Sequence, residues 1–178
     1  MKNLTIENMN EVSINKSINL SEHFTLGELC KTSAKTPDGN IPSHVHIENL
    51  KRLCGWLEKL RERYNQRYVL RSVSPPSLGG EEDTEEPIVI NSGYRSEAVN
   101  KSVGRVKGSN HLTGCAVDIR VAGIEQAMRY AVILMDYADE TKQDYDEILI
   151  EKNRYGAIWL HFAVRPTDNR RKTMFLQK

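Results

Sequence analysis

The segment "HVHIENLKRLCGWLEKLRERYN" carries the clearest periodic pattern in the chain. Ile47, Leu50, Leu53, Cys54, Leu57, Leu60 and Tyr64 recur at steps of three and four, which makes one apolar stripe along a helix. Ser43 stands where an N-cap is expected. Such a stripe has to be covered by a second layer, so the fold depends on what surface the remaining residues can offer.

That surface lies later in the chain. "IVIN", "CAVDIRV", "EILIE" and "IWLHFAV" read as strands, the last two joined by "KNRYGA" into a hairpin. "GIEQAMRYAVILMDYADE" reads as a second long helix. Short helices are expected at "TLGELC", where Thr25 and Glu28 have capping-box spacing, and at "EAVNKSV" after Ser96. Helices first and strands later predict an α+β domain, with helices packed against a small antiparallel sheet. Residues 1–20 read as an N-terminal arm and 21–178 as one domain. "SVSPPSLGGEEDTEEP", at 72–87, reads as a mobile surface loop with no chemistry of its own. "KTPDGNIPS" is a loop with proline and glycine breakers.

Several classes of function are excluded. A formal net charge of +1 gives no basic field for nucleic acid. No run approaches the roughly 18 apolar residues of a membrane span. The opening "MKNLTIENMNEVSINKSINL" lacks the apolar stretch of a secretory signal, so the chain is expected to be cytoplasmic as synthesised. An extracellular target would be reached by another route, such as phage-type lysis. Cys30, Cys54 and Cys115 are not spaced as a zinc ribbon or a disulfide framework and are expected to be reduced and mostly buried. A monomer is expected.

The chemistry concentrates on strand faces. Alternate side chains of a strand point to opposite sides. In "CAVDI", Cys115, Val117 and Ile119 share an apolar face, while Ala116 and Asp118 share the other. In "IWLHFAV", Ile158, Leu160, Phe162 and Val164 face the core, and Trp159, His161 and Ala163 face away. Each strand therefore offers one metal-ligand type beside a small alanine. His111, in a loop before a turn at Gly114, could add a third. Two histidines and one carboxylate suit a catalytic zinc with an open fourth position; the same residues could also be a surface turn feeding a strand. His44 and His46 read as exposed polar residues. Glu147, Leu149 and Glu151 share one face of "EILIE". If Glu151 lies opposite Trp159, it faces the side of His161, where a carboxylate could act as a general base; otherwise it is a solvated strand end. Arg95 follows a strand and a glycine turn. Its planar fork suits a substrate carboxylate or an anionic transition state, or else a surface salt bridge.

"INSGYRSEAVNKSVGRVKGSNHLTGCAVDI" resembles peptidase family M15, the D-Ala-D-Ala carboxypeptidase-like zinc peptidases. The family signature is matched by Ser109, His111, Gly114, Ala116 and Asp118, with "SGYRS" upstream and Trp159-Leu160-His161 downstream. "EHFTLGELCKTSA" is similar to the lead-in of the bacterial and phage branch, so the likeness spans roughly residues 20–165. The resemblance implies a hedgehog/DD-peptidase-like fold and zinc held by His111, Asp118 and His161. It implies substrate contacts from Arg95, Ser109 and Trp159, with Ser109 supporting the site rather than attacking. Several members carry an acid three positions before the last histidine, where this chain has Ile158; Glu151 matches an alternative placement of the base. The function so implied is zinc-dependent hydrolysis of peptidoglycan stem peptides, as a carboxypeptidase or an endopeptidase. A non-catalytic zinc module that binds wall fragments or a protein partner is the alternative, and Ile158 is the residue that favours it.

Overall fold

The computed structural model describes residues 17–69, 85–104 and 108–178. The elements run α1 (Leu26–Leu29), α2 (His44–Tyr64), a π-helical turn (Asn65–Val69), β1 (Ile90–Ser92), α3 (Glu97–Ser102), a 3-10 turn (Asn110–Thr113), β2 (Ala116–Arg120), α4 (Ile124–Thr141), β3 (Glu147–Lys152), β4 (Ile158–Ala163) and β5 (Lys172–Gln177). The chain is α+β, with one five-stranded sheet in the order β1-β2-β4-β3-β5.

Local chemistry sets the helix starts. Thr25 and Glu28 form the reciprocal capping box at α1. Ser43 caps α2 and Ser96 caps α3, each accepting from the backbone N–H three residues on. The stripe of α2 is fully buried at Leu50, Leu53, Cys54, Leu57 and Leu60. It packs with Tyr130, Ile133 and Leu134 of α4 onto Val117, Ile119, Ile148, Leu160 and Phe162, the apolar face of the sheet. Trp56 bridges the layers, with ring centroids 4.8 Å from Tyr137 and 5.5 Å from Phe162. The three cysteines are free; Cys54 and Cys115 are buried and Cys30 is half-buried. None of the helices among the described residues is long and apolar enough to cross a membrane. Most of the 72–87 loop lies outside the described residues. Its C-terminal end is tied down, since Arg61 pairs with Glu85 at 2.7 Å and Asn65 bonds the backbone of Glu86.

The sheet is mixed rather than wholly antiparallel. Strands β1 to β4 pair antiparallel, but β5, which the sequence pattern did not reveal, runs parallel to β3 on the edge. The chain leaves β4, crosses the start of β3 and returns beyond it. Asp146, at 0 % exposure, fastens this crossing. Its carboxylate accepts from both prongs of Arg170 at 2.8 and 2.7 Å and from the Arg170 backbone N–H at 3.2 Å, and it lies 3.1 Å from Arg165 Nε. A fully buried carboxylate is tolerated because it is paired and hydrogen-bonded on both oxygens.

Candidate metal centre and cleft

The polar side chains gather on the sheet face away from α2 and α4. Sheet register puts Ser92, Asp118, His161 and Leu149 in one row across β1, β2, β4 and β3. On β3, Glu147 pairs with Ala163 and Glu151 with Trp159. Both acids therefore sit diagonal to His161, one on each side, within reach of long side chains. The expected pairing of Glu151 with Trp159 holds.

His111 is delivered differently. Ser109 caps the 3-10 turn and its Oγ accepts from the His111 backbone N–H at 3.4 Å. Gly114 ends the turn at φ 70°, and a Cβ there would lie 2.7 Å from the His46 carbonyl oxygen. Only glycine meets both conditions at low cost. The His111 ring donates from Nδ1 to the Gly93 carbonyl at 2.6 Å, which fixes the tautomer and leaves Nε2 as the free nitrogen. That Nε2 lies 3.4 Å from Asp118 Oδ1. His161 Nδ1 approaches the same oxygen at 2.9 Å. One donor atom from each of His111, Asp118 and His161 lies within 4.8 Å of the others, and all three residues are buried.

The electrostatics are those of a tightly coupled group. Burial works against the charge on Asp118, but the two imidazoles more than offset it and hold the carboxyl well below its usual range. Burial pushes His111 down and keeps it neutral. Burial opposes the charge of His161 too, yet Asp118 and Glu147 on either side of the ring raise it to about 9. Contact with His161 is the main reason that Glu147 falls to about 2. A buried carboxylate between two imidazoles is a donor set suited to a divalent cation.

These residues floor a cleft of about 240 Å³, lined also by Arg95, Ser109, Asn110, Arg170 and Lys178. Arg95 is 7 % exposed. Its Nε donates to Ser92 Oγ at 2.9 Å and its NH2 to Asp118 Oδ2 at 2.6 Å, so in this arrangement it clasps the Asp118 carboxylate. Glu151 is buried and pairs through Oε2 with Lys178 Nζ. Trp159 is half-buried and does not line the cleft; its ring lies 5.8 Å from the Lys178 ammonium. Ile158 is half-buried, and His46 stacks on Tyr94 at 4.8 Å rather than standing free. Arg170 and Lys178 were missed by sequence reasoning, because both reach the cleft through β5. Asn110 could have been noticed as the neighbour of His111, but nothing in its local pattern sets it apart.

Gly93 gives this region a direct test. A Cβ at Gly93 would lie 2.2 Å from the Leu29 carbonyl oxygen, which also accepts the Tyr94 backbone N–H at 2.7 Å. The Gly93→Ala change is expected to cost about 1–3 kcal/mol, as for other overpacked sites, and to lower the urea midpoint at constant slope. An unchanged midpoint would show that the strand gives way without cost.

The family model described as Peptidase M15 matches residues 80–143, a segment holding Arg95, His111 and Asp118 but ending before Glu151 and His161. No curated protein matches the chain significantly. The matched segment carries two members of the buried His-Asp-His group, and the sheet brings the third, His161, directly opposite Asp118. Over this segment the chain is similar to peptidase family M15.

Proposed function

We propose that the protein is a zinc peptidase that hydrolyses peptidoglycan stem peptides, as a carboxypeptidase or an endopeptidase. The observation that carries this reading is the buried group of His111, Asp118 and His161 at the floor of an open cleft, with Glu151 on the same sheet face. The similarity of residues 80–143 to the M15 peptidases supports zinc, since those peptidases are generally zinc-dependent. His111 Nε2, Asp118 Oδ1 and His161 Nδ1 are the atoms that would hold the ion. When bound there, zinc supplies Lewis acidity and brings a water toward a neutral pKa.

The remaining steps belong to the protein. Glu151 accepts a proton from the attacking water and passes it to the leaving amine. Lys178 pairs with the Glu151 carboxylate through its ammonium. Arg95 keeps Asp118 oriented and presents positive charge at the cleft wall, where an oxyanion develops. Asn110 and Arg170 also line the cleft, held there by Asp146 and Glu147.

Mass spectrometry of purified peptidoglycan fragments, incubated with the zinc-loaded protein, tests the reading. Loss of a single terminal residue identifies a carboxypeptidase, and two peptide fragments identify an endopeptidase. Fragments left whole at every zinc level would overturn the proposal.

Arg95 offers a sharper test of the wall. Lysine keeps the charge but cannot bond Ser92 and Asp118 together. The Arg95→Lys variant is expected to lose activity by about tenfold or more, in line with a lost charge-assisted hydrogen bond of about 1.5–3 kcal/mol, while keeping its zinc. A wild-type rate would remove Arg95 from the machinery.

A further inference from the structure

Two carboxylates flank His161 on β3, and the surroundings of the two differ. The His161 ring has Nδ1 on the side of Asp118 and His111, and Nε2 at 3.5 Å from Glu147 Oε2. A histidine that binds a metal through one nitrogen is held in orientation by an acceptor on the other. His111 already shows this arrangement, with the Gly93 carbonyl on its Nδ1. Glu147 stands in the equivalent place for His161.

Glu147 is also fixed on every side. Its Oε1 accepts from Arg170 at 3.0 Å and from Lys172 at 3.3 Å, and its Oε2 accepts from Asn110 Nδ2 at 3.2 Å. Arg170 is itself locked onto Asp146 through both prongs. Asn110 bonds Asp146 as well, at 2.7 Å, and is the residue before His111. The carboxylate thus ties the β5 crossing, the 3-10 turn and the His161 ring into one rigid frame. Proton transfer asks the opposite of a carboxylate, which has to reach from the attacking water to the leaving nitrogen. Glu151, on the other diagonal, is tied instead to a single partner, Lys178, whose side chain is 37 % exposed.

We propose that Glu147 is the positioning carboxylate of His161: it binds the Nε2 side of the ring, turns Nδ1 toward the metal position, and leaves proton transfer to Glu151. This rests on the zinc reading of the site. Its consequence is a division of labour between two acids four residues apart on one strand face.

The test is zinc affinity, measured by competition with a chromophoric chelator, for the full-length wild type, Glu147→Gln, Glu147→Ala and Glu151→Gln. Outer-sphere partners of metal ligands typically contribute about ten- to a hundredfold in affinity. Glu147→Gln keeps the shape and removes the charge, so about a tenfold loss is expected; Glu147→Ala removes both and should approach a hundredfold. Glu151→Gln should bind zinc as the wild type does. Turnover lost by Glu147→Gln at low zinc should return as zinc is raised, which a general folding defect would not allow. If Glu147→Ala does not fold, the glutamine variant still decides. Wild-type affinity in Glu147→Gln overturns the proposal, as does turnover that stays low at saturating zinc. A wild type that binds no zinc removes the zinc reading itself, and this result is separate from either of the others.

Discussion

Replacing Glu151 with glutamine is expected to lower turnover by about a hundred- to ten-thousandfold, the usual contribution of a general base, with zinc content unchanged. Glutamine matches the size of glutamate and fills the same 3 % exposed position on β3, so packing is preserved. It cannot accept the proton. The Lys178 partner loses its counter-ion, but its side chain is 37 % exposed and turns to water at little cost. Turnover and elemental zinc are measured on the same preparation. A near wild-type rate with zinc in place would move the base to another group.

The second large effect is loss of the metal. The double change His111→Ala, His161→Ala removes two of three donors and leaves Asp118 clasped by Arg95, with which it already shares a 2.6 Å bond. Zinc content is expected to drop from about one equivalent to none, since structural and catalytic sites alike need three or more protein donors. Activity should vanish with it. Both side chains sit in the floor of the cleft rather than among the apolar residues under α2 and α4, so the fold should survive, as far-UV circular dichroism can verify. Stoichiometric zinc retained by the double variant would rule out this donor set.

Much of this arrangement was legible because burial constrains strands. Asp118 and His161 stood out as polar residues alternating with Val117, Ile119, Leu160 and Phe162, all at 0 % exposure. The pairing of Glu151 with Trp159 was readable for the same reason: a slip of one residue would have turned a carboxylate into the apolar layer. The helix starts followed from Thr25, Ser43 and Ser96. The signals fail where contacts are non-local. "KTMFLQ" is a short segment whose Met174 and Phe175 are exposed, so its pattern marked no core face. Its parallel direction depends on Asp146 gripping Arg165 and Arg170, a contact that spacing cannot announce. Arg170 and Lys178 at the cleft were therefore hidden. The clasp of Arg95 on Asp118 was hidden as well, because a guanidinium beside a strand looks the same whether it meets substrate or protein.

The central position of β4 has a consequence for how the molecule assembles. Its hairpin with β3 is local in sequence and brings Glu147 and Glu151 beside His161 at little loop-closure cost. Asp118 comes from 43 residues away, across the whole length of α4, so its pairing with His161 is the more non-local contact. The seam between β2 and β4 joins the strands farthest apart in sequence of any pairing in the sheet, and it runs through the middle of the donor set. An ion bound by residues from both strands would stabilise the closed seam, because anything bound only to the closed form adds its binding free energy to stability. Backbone amides of Val117 and Ile119 should exchange with solvent at a rate that follows the occupancy of the site, while those of the β3–β4 hairpin respond less.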